Sequence, residues 1–549
     1  VTSTPERTEH DAEVLRDIEA AVNRQDWPRA MQMARDALAA GLQHPLTLNL
    51  RAFWLEQQGR YEDALKDLRQ ASQLAPQDAR ILNALGLCLS NLDRLEEAVT
   101  AFGRTIEAQA DFAPAYLNRG LALETLGDLI AARKNFQRAS ELAPQDPEPL
   151  SCLASLATRR ADWPEARALS ARVLAAFPQH PGALLAQASA YLAEGKLAQA
   201  EAALRDILAN RNVPPLGHAR AQMLLGDVFD AADCVDEAFA AYRDSNRAMK
   251  TVYAPRFEGH GVETMPAYLD WLIQYFEQAD AKRWGPGADP TPAQFAPRAH
   301  VFLVGFPRSG TTLLENVLAS HPEIATMEER PALVGAAGSL ISTSEGLDRL
   351  ANLSPAKLAE LRQSYWRQVQ SVGIDTTGKI FVDKHPMNSV SLPLVVKFFP
   401  NAKILFACRD PRDTVWSCFR RPFRMNPSTY QFLTLDGAAG LYDQVMHLCG
   451  VYREKLPLAL HTLRYEDLVE SFEAQVRAVC GFIGIEWRDE MHDFAVRDKA
   501  QAIATASAGQ VRRGLYREGV GQWRRYEAHL RPILPLLNPW VEKYGYPAD

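Results

Sequence analysis

The sequence predicts two architectures in one chain: an all-α solenoid of repeated helix pairs, then an α/β domain on a parallel sheet. Three observations carry this. Alanine recurs at Ala30, Ala64, Ala98, Ala132, Ala166 and Ala200, a constant step of 34 residues, and again at Ala238 after a step of 38. A short apolar run, Val301-Phe302-Leu303-Val304, stops at a glycine-containing loop, and a helical pattern follows with Leu313, Leu314, Val317 and Leu318 on one side. Later apolar runs at 380–382 and 404–407, and the strand-to-helix transition at 461–468, each lead into charged residues, as strands do in parallel sheets that bind ligands at their carboxyl ends.

The first half is read from its period. Pro76, Ala110, Pro144 and Pro178 keep the 34-residue step at the end of the second helix of each pair. Leu85-Gly86 and Arg119-Gly120 fall in first helices, Gly59 and Gly127 at the turn between helices, and Tyr61 or Leu95 at the start of second helices. This pattern resembles the tetratricopeptide repeat, whose small residues sit where paired helices touch. About seven units are expected over residues 10–247, starting near 10, 44, 78, 112, 146, 180 and 216, with Asn212-Val213-Pro214-Pro215 lengthening the last step. The resemblance implies a concave face that holds a protein or peptide partner, and it leaves a homo-oligomer open. Residues 248–296 are expected as a helical linker, with an amphipathic helix at 265–273 and a loop at 284–290, before a catalytic domain at 297–549.

Whole-chain properties exclude several classes. A chain of 549 residues that is 47% hydrophobic and 23% charged is ordinary for a globular protein of two or more domains. A net charge of -7 argues against a general nucleic-acid binder. The polar opening VTSTPERTEH has no apolar leader, and no long apolar run suits a membrane span. Seven cysteines from Cys88 to Cys480, without metal-ligand spacing, are expected as buried thiols in a reducing compartment. The expected setting is the cytoplasm of a bacterium.

The loop after the first strand is an anion cradle. Gly305 and Gly310 let backbone approach an anion, and the N-terminus of the following helix favours negative charge. The Gly-x-x-x-x-Gly spacing is that of a nucleotide P-loop, but Thr311 and Thr312 stand where a Walker motif has Lys and then Ser or Thr. The cation has moved to Arg308, whose planar fork suits a tetrahedral oxyanion, and Ser309, Thr311 and Thr312 offer hydroxyl donors. Pro307-Arg308-Ser309-Gly310-Thr311-Thr312 resembles the 5'-phosphosulfate loop of sulfotransferases, above all their tyrosylprotein and carbohydrate branches. The resemblance implies 3'-phosphoadenosine 5'-phosphosulfate (PAPS) as donor and the bisphosphate PAP as product.

Four further stretches extend it. Glu328-Glu329-Arg330 places two carboxylates where a general base for a hydroxyl acceptor is useful. By resemblance Glu329 matches the tyrosylprotein base, while Pro331 stands where that family has an arginine. Lys384 closes a strand; the resemblance places it at the donor's bridging oxygen, and His385 is expected to be structural. Arg409 and Ser417, with Arg421 as an addition, resemble the 3'-phosphate motif, since arginine plus hydroxyl clamps a phosphate. Tyr465 resembles a residue near the nucleotide. In the glycine- and arginine-rich closing stretch, Ser507 matches a serine that assists the lysine, and Arg512, Arg513 and Arg524 are expected at the 3'-phosphate. Gln522 takes the place of a lysine found in the animal enzymes.

The expectation is therefore a PAPS-dependent sulfotransferase whose cations are Arg308 and Lys384 rather than a metal, transferring to an acceptor hydroxyl, foremost tyrosine of a peptide or protein. Saccharide, lipid or small-molecule hydroxyls are the alternative acceptors. A non-catalytic nucleotide-binding scaffold is the rival of another class, against which Glu329, Lys384 and Ser507 stand, and the missing Walker lysine stands against a kinase.

Overall fold

A computed structural model describes residues 5–259, 261–285, 297–494 and 519–548, with side chains from residue 9. It begins with seven helix pairs: Pro5–Asn23 with Trp27–Ala39, Pro45–Gln57 with Tyr61–Leu74, Ala79–Asn91 with Leu95–Ala108, Ala113–Leu126 with Leu129–Leu142, Pro147–Arg159 with Trp163–Ala176, Pro181–Ala193 with Leu197–Ala209, and Pro215–Ala231 with Val235–Phe257. The periodic alanines Ala30, Ala64, Ala98, Ala132, Ala166, Ala200 and Ala238 are all fully buried, because a methyl group is all that fits between the paired helices. Gly86, Gly120 and Gly226 have the same cause on the facing helix. A Cβ on any of them would lie 2.5 Å from the ring of Phe102, Phe136 or Tyr242.

Each pair turns through one left-handed residue: Gln25, Gly59, Asp93, Gly127, Ala161, Gly195 and Asp233, with φ between 55° and 87°. Only three of the seven are glycine, so glycine spacing alone reveals under half of the turns. The other four carry the left-handed strain, roughly 1–2 kcal/mol each.

The chain forms two compact units, Val1–Ala190 and Tyr191–Asp549. The last helix pair thus belongs with the α/β part, and side-chain contacts show why. Phe239 stacks on Trp416, Phe419 and His529 at ring separations of 6.2, 5.8 and 4.1 Å, and Asn246 Nδ2 donates to Phe419 O at 2.8 Å. The segment that follows is also packed in. The helix Met265–Gln278 buries Leu269, Leu272, Ile273 and Phe276, with Phe276 against Trp284 (4.8 Å) and Tyr452 (4.9 Å).

The sheet has five parallel strands, β1 (Ala299–Gly305), β2 (Ile324–Glu328), β3 (Ile380–Lys384), β4 (Lys403–Cys408) and β5 (Ala459–Arg464), in the order β2-β3-β1-β4-β5. Alternation along β1 feeds two cores: Val301 and Leu303 on one face, Phe302 and Val304 on the other. With both faces covered, the central strands read as unbroken apolar runs. The chain leaves β1 towards β2 on one side and later crosses to β4 on the other, so the carboxyl end of β1 is the switch point where such sheets bind ligands. Among the described residues no helix is long and apolar enough to cross a membrane.

Candidate active site

Four strand ends build the site. β1 runs into the loop whose Gly305 passes so close to β4 that a Cβ there would lie 2.3 Å from Ala407 O. Gly310 has φ 90° and caps the helix Thr311–Ala319; a Cβ on it would sit 2.7 Å from Tyr465 Cδ2. Between them Arg308 is held at φ 71° and Glu329, just past β2, at φ 41°. Outside the repeat turns these are the two non-glycine residues with left-handed backbone among those described, and both are predicted site residues. Strain kept at such positions needs surrounding contacts to hold it.

Those contacts are in place. Arg308 Nε donates to Ser417 Oγ at 2.9 Å, and Arg409 Nη1 donates to Arg308 O at 3.3 Å. Ser417 lies in the helix Pro411–Phe419, which starts at the carboxyl end of β4. Arg409 also donates to Gly519 O, and its guanidinium lies 5.1 Å from the Tyr465 ring. Arg308, Ser309, Thr311, Thr312, Arg409 and Ser417 are all buried. Burial, then Arg421, Arg409 and Arg420, push the Arg308 guanidinium down to about 9. Concentrated positive charge in a desolvated loop is relieved by an anion.

The second centre surrounds Lys384, the fully buried last residue of β3. Its Nζ lies 2.9 Å from Glu329 Oε1, 3.1 Å from Glu315 Oε2 and 3.6 Å from Glu328 Oε1. The Glu329 amide donates to Lys384 O at 2.7 Å, extending the β2–β3 ladder and fixing the base candidate beside the lysine. Burial alone would pull the ammonium down, yet Glu315, Glu329 and Glu328 outweigh it and hold it above the ordinary lysine value. Burial would raise Glu329, but Lys384, with His385 and Arg308, keeps it below the usual carboxylate range. Glu329 is 40% exposed and the adjoining Lys384 not at all, so Glu329 is the member of the pair open to solvent.

Not every predicted residue joins these centres. Arg421 lies at the edge of the first centre, where its charge acts on Arg308 while it forms an ion pair with Asp227 of the last helix pair at 3.2 Å. Arg524 is exposed, 5.3 Å from the Trp523 ring. Gln522 accepts from Arg420. Ser507, Arg512 and Arg513 lie outside the described residues. His385 borders Glu329, and its buried Nδ1 has no hydrogen-bond partner. Sequence reasoning missed β2, Glu315 and the anchor of the closing turn, Asp413, which accepts from the Gly521 and Trp523 amides at 2.6 and 2.9 Å. An acid within the apolar helix Thr311–Ala319 was the available signal for Glu315.

The comparisons with known proteins agree with this layout. Residues 300–489 match the model of the Sulfotransferase family, and residues 55–118, 113–146, 153–215 and 185–248 match tetratricopeptide-repeat models. An "Uncharacterized protein" of Aquifex aeolicus is 24% identical over 84% of this chain and 60% of its own length. Over 41% of this chain and 60% of its own length, the "Protein-tyrosine sulfotransferase A" of Caenorhabditis elegans is 28% identical. The "Protein-tyrosine sulfotransferase 2" of Gallus gallus is 24% identical over 45% of this chain and 72% of its own. The chain therefore spans 60% of the length of the first two of these relatives.

Proposed function

The chain carries tetratricopeptide repeats ahead of a sulfotransferase-family domain, and from that premise we propose that it is a PAPS-dependent sulfotransferase acting on tyrosine of a peptide or protein. The observation that carries the reading is convergence: Arg308, Arg409 and Ser417 contact one another at the ends of β1 and β4, and Glu329, on which Arg308 acts, pairs with Lys384 at the end of β3. The donor fits these residues. Arg409 Nε is buried with no hydrogen-bond partner, and Arg409 with Ser417 has the chemistry to hold a 3'-phosphate. The Gly305–Gly310 loop, with Arg308, Ser309, Thr311 and Thr312, suits the 5'-phosphosulfate, and Tyr465 the base. Arg421, Arg512, Arg513 and Arg524 are further candidates for the 3'-phosphate, and Ser507 for assisting Lys384.

The donor supplies a sulfuryl group and a phosphate leaving group. Glu329 accepts the proton of the acceptor hydroxyl as that oxygen bonds to sulfur, and the bridging S–O electron pair goes to phosphate. Lys384 and Arg308 stabilise the charge that builds there, the preorganised role that lowers such barriers most. Support for a tyrosine acceptor comes from the relatives' names and from a repeat array of a kind used to hold peptides.

The test is calorimetric titration of the chelator-treated protein with PAP and, in parallel, with ATP. Micromolar PAP binding that weakens in Arg308→Ala and Arg409→Ala, with ATP much poorer, is expected. No PAP binding, or magnesium-dependent ATP binding in its place, would overturn the reading.

A further inference from the structure

Three carboxylates face one buried ammonium, an arrangement that the transfer reaction as drawn above does not use in full. Glu329 is hydrogen-bonded to Lys384 at 2.9 Å. The other two are not: Glu315 Oε2, at 3.1 Å, and Glu328 Oε1, at 3.6 Å, are both buried oxygens without a hydrogen-bond partner. Their ion pairs are close but misaligned. With all three ionised, the cluster would hold two uncompensated negative charges at the floor of a site meant for an anion, which is costly in a poorly solvated setting.

The members differ in environment. Glu329 is 40% exposed and Glu328 27%, but Glu315 is only 7% exposed. Glu315 projects from the helix that follows the anion loop, with Lys384 of β3 and Glu328 and Glu329 at the end of β2 facing it. Arg308 and His385 act on the Glu329 side of the cluster. Burial, opposed by Lys384 and reinforced by Glu328 and Glu329, holds the Glu315 carboxyl above its ordinary range. A buried carboxylate without a hydrogen bond, beside like charges, is the group most readily neutralised by a proton.

We propose that Glu315 is a positioning residue that takes up a proton when the anionic donor is seated, and so releases Lys384 from carboxylate to donor. The proton comes from solvent and ends on a Glu315 carboxyl oxygen; no other bond changes. Ionised, Glu315 competes with the donor for the ammonium. Protonated, it is a neutral neighbour and the field of Lys384 falls on the leaving phosphate. This rests on the donor reading above and adds to it the means by which a fully covered lysine becomes available.

The test uses the full chain and PAP. Calorimetry in buffers of different ionisation enthalpy, between pH 6.5 and 8.5, gives the protons taken up on binding. The wild type is expected to take up on the order of half a proton more than Glu315→Gln near neutrality, and its PAP affinity should fall several-fold more steeply with pH. Titration of the ligand's own phosphates is common to both proteins and cancels. In Glu315→Gln, PAP binding persists and its pH dependence flattens. A purely structural role would weaken binding equally at every pH, and equal proton uptake in the two proteins would overturn the proposal. The infrared difference spectrum of the wild type on adding PAP supplies a measurement that needs no variant: a new protonated-carboxyl band is expected, and its absence refutes the proposal. Failure of the wild type to bind PAP at all strikes the donor reading first and removes this proposal with it.

Discussion

Removing the Asp230 carboxylate should loosen the joint between the last helix pair and the α/β part. Asp230 Oδ2 accepts from Arg420 Nη1 at 3.0 Å, and Oδ1 accepts from Arg525 Nη1 at 2.8 Å and from Tyr526 OH at 2.6 Å. Arg420 is 5% exposed, so Asp230→Ala strands a buried guanidinium, at a cost of about 3–5 kcal/mol. The Tyr526 hydrogen bond adds about 1 kcal/mol. The Arg525 pair adds little, because Arg525 is 41% exposed and solvent screens it. Asp233 is the internal control: it meets Arg525 at 2.7 Å but is 86% exposed, so Asp233→Ala should cost under about 1 kcal/mol. Urea unfolding followed by tryptophan fluorescence and circular dichroism measures both. The transition of the Tyr191–Asp549 unit should move in Asp230→Ala, and Arg420→Met added to it should recover much of the loss by removing the stranded charge. If Asp230→Ala and Asp233→Ala shift the transition equally, the buried-pair argument is wrong.

Three further outcomes are expected. Glu329→Gln should lower turnover by roughly 10²–10⁴, the span of a lost general base, with PAP affinity nearly unchanged; retained turnover would remove Glu329 from its role. Gly310→Ala forces a Cβ to within 2.7 Å of Tyr465 at φ 90°, a strain of about 1–3 kcal/mol. It should appear as roughly tenfold to hundredfold weaker PAP binding, eased in a Tyr465→Ala background, and unchanged affinity in Gly310→Ala would show that the loop tolerates a side chain. Burial pushes the Asp383 carboxyl up to about 7, against the pull of the Tyr365 hydroxyl at 2.8 Å and of Lys384. Its folded value lies above the unfolded one of about 3.9, so its stabilisation is full at acid pH and is lost as pH rises through about 7. Asp383→Asn should flatten that decline. Comparing variant with wild type at each pH separates Asp383 from His300, which burial lowers to about 3 and which gives the opposite slope. An unchanged difference in urea midpoint between pH 5 and pH 8 would refute this.

Features carried by contiguous residues are legible in the sequence. The alanine step reports a contact repeated in every unit, and the Gly305–Thr312 loop joins a strand, a tight turn and a helix within a few residues. Short elements of mixed polarity were less legible. β2 buries only Ile324 and Met327 of its five residues, so Glu328-Glu329 were legible as a carboxylate pair but not as the end of an edge strand. The surroundings of Arg524 and Arg421 were not legible: the first is exposed beside Trp523 and the second meets Asp227 while acting on Arg308, and nothing local to either arginine announces this.

By itself the sequence determined the repeat period, the glycine loop with Arg308 and no Walker lysine, and the strands that run into Lys384 and Arg409, because each is written within one or two neighbouring elements. Only the tertiary structure decided that Glu315 would face Lys384, that Asp230 would hold Arg420, and that the last helix pair would join the α/β unit. Glu315 and Lys384 are brought together by the packing of the helix Thr311–Ala319 against β3, and Asp230 and Arg420 by the docking of one helix on another. Such contacts between residues far apart in the chain follow from packing two faces to close a core, which no local pattern encodes.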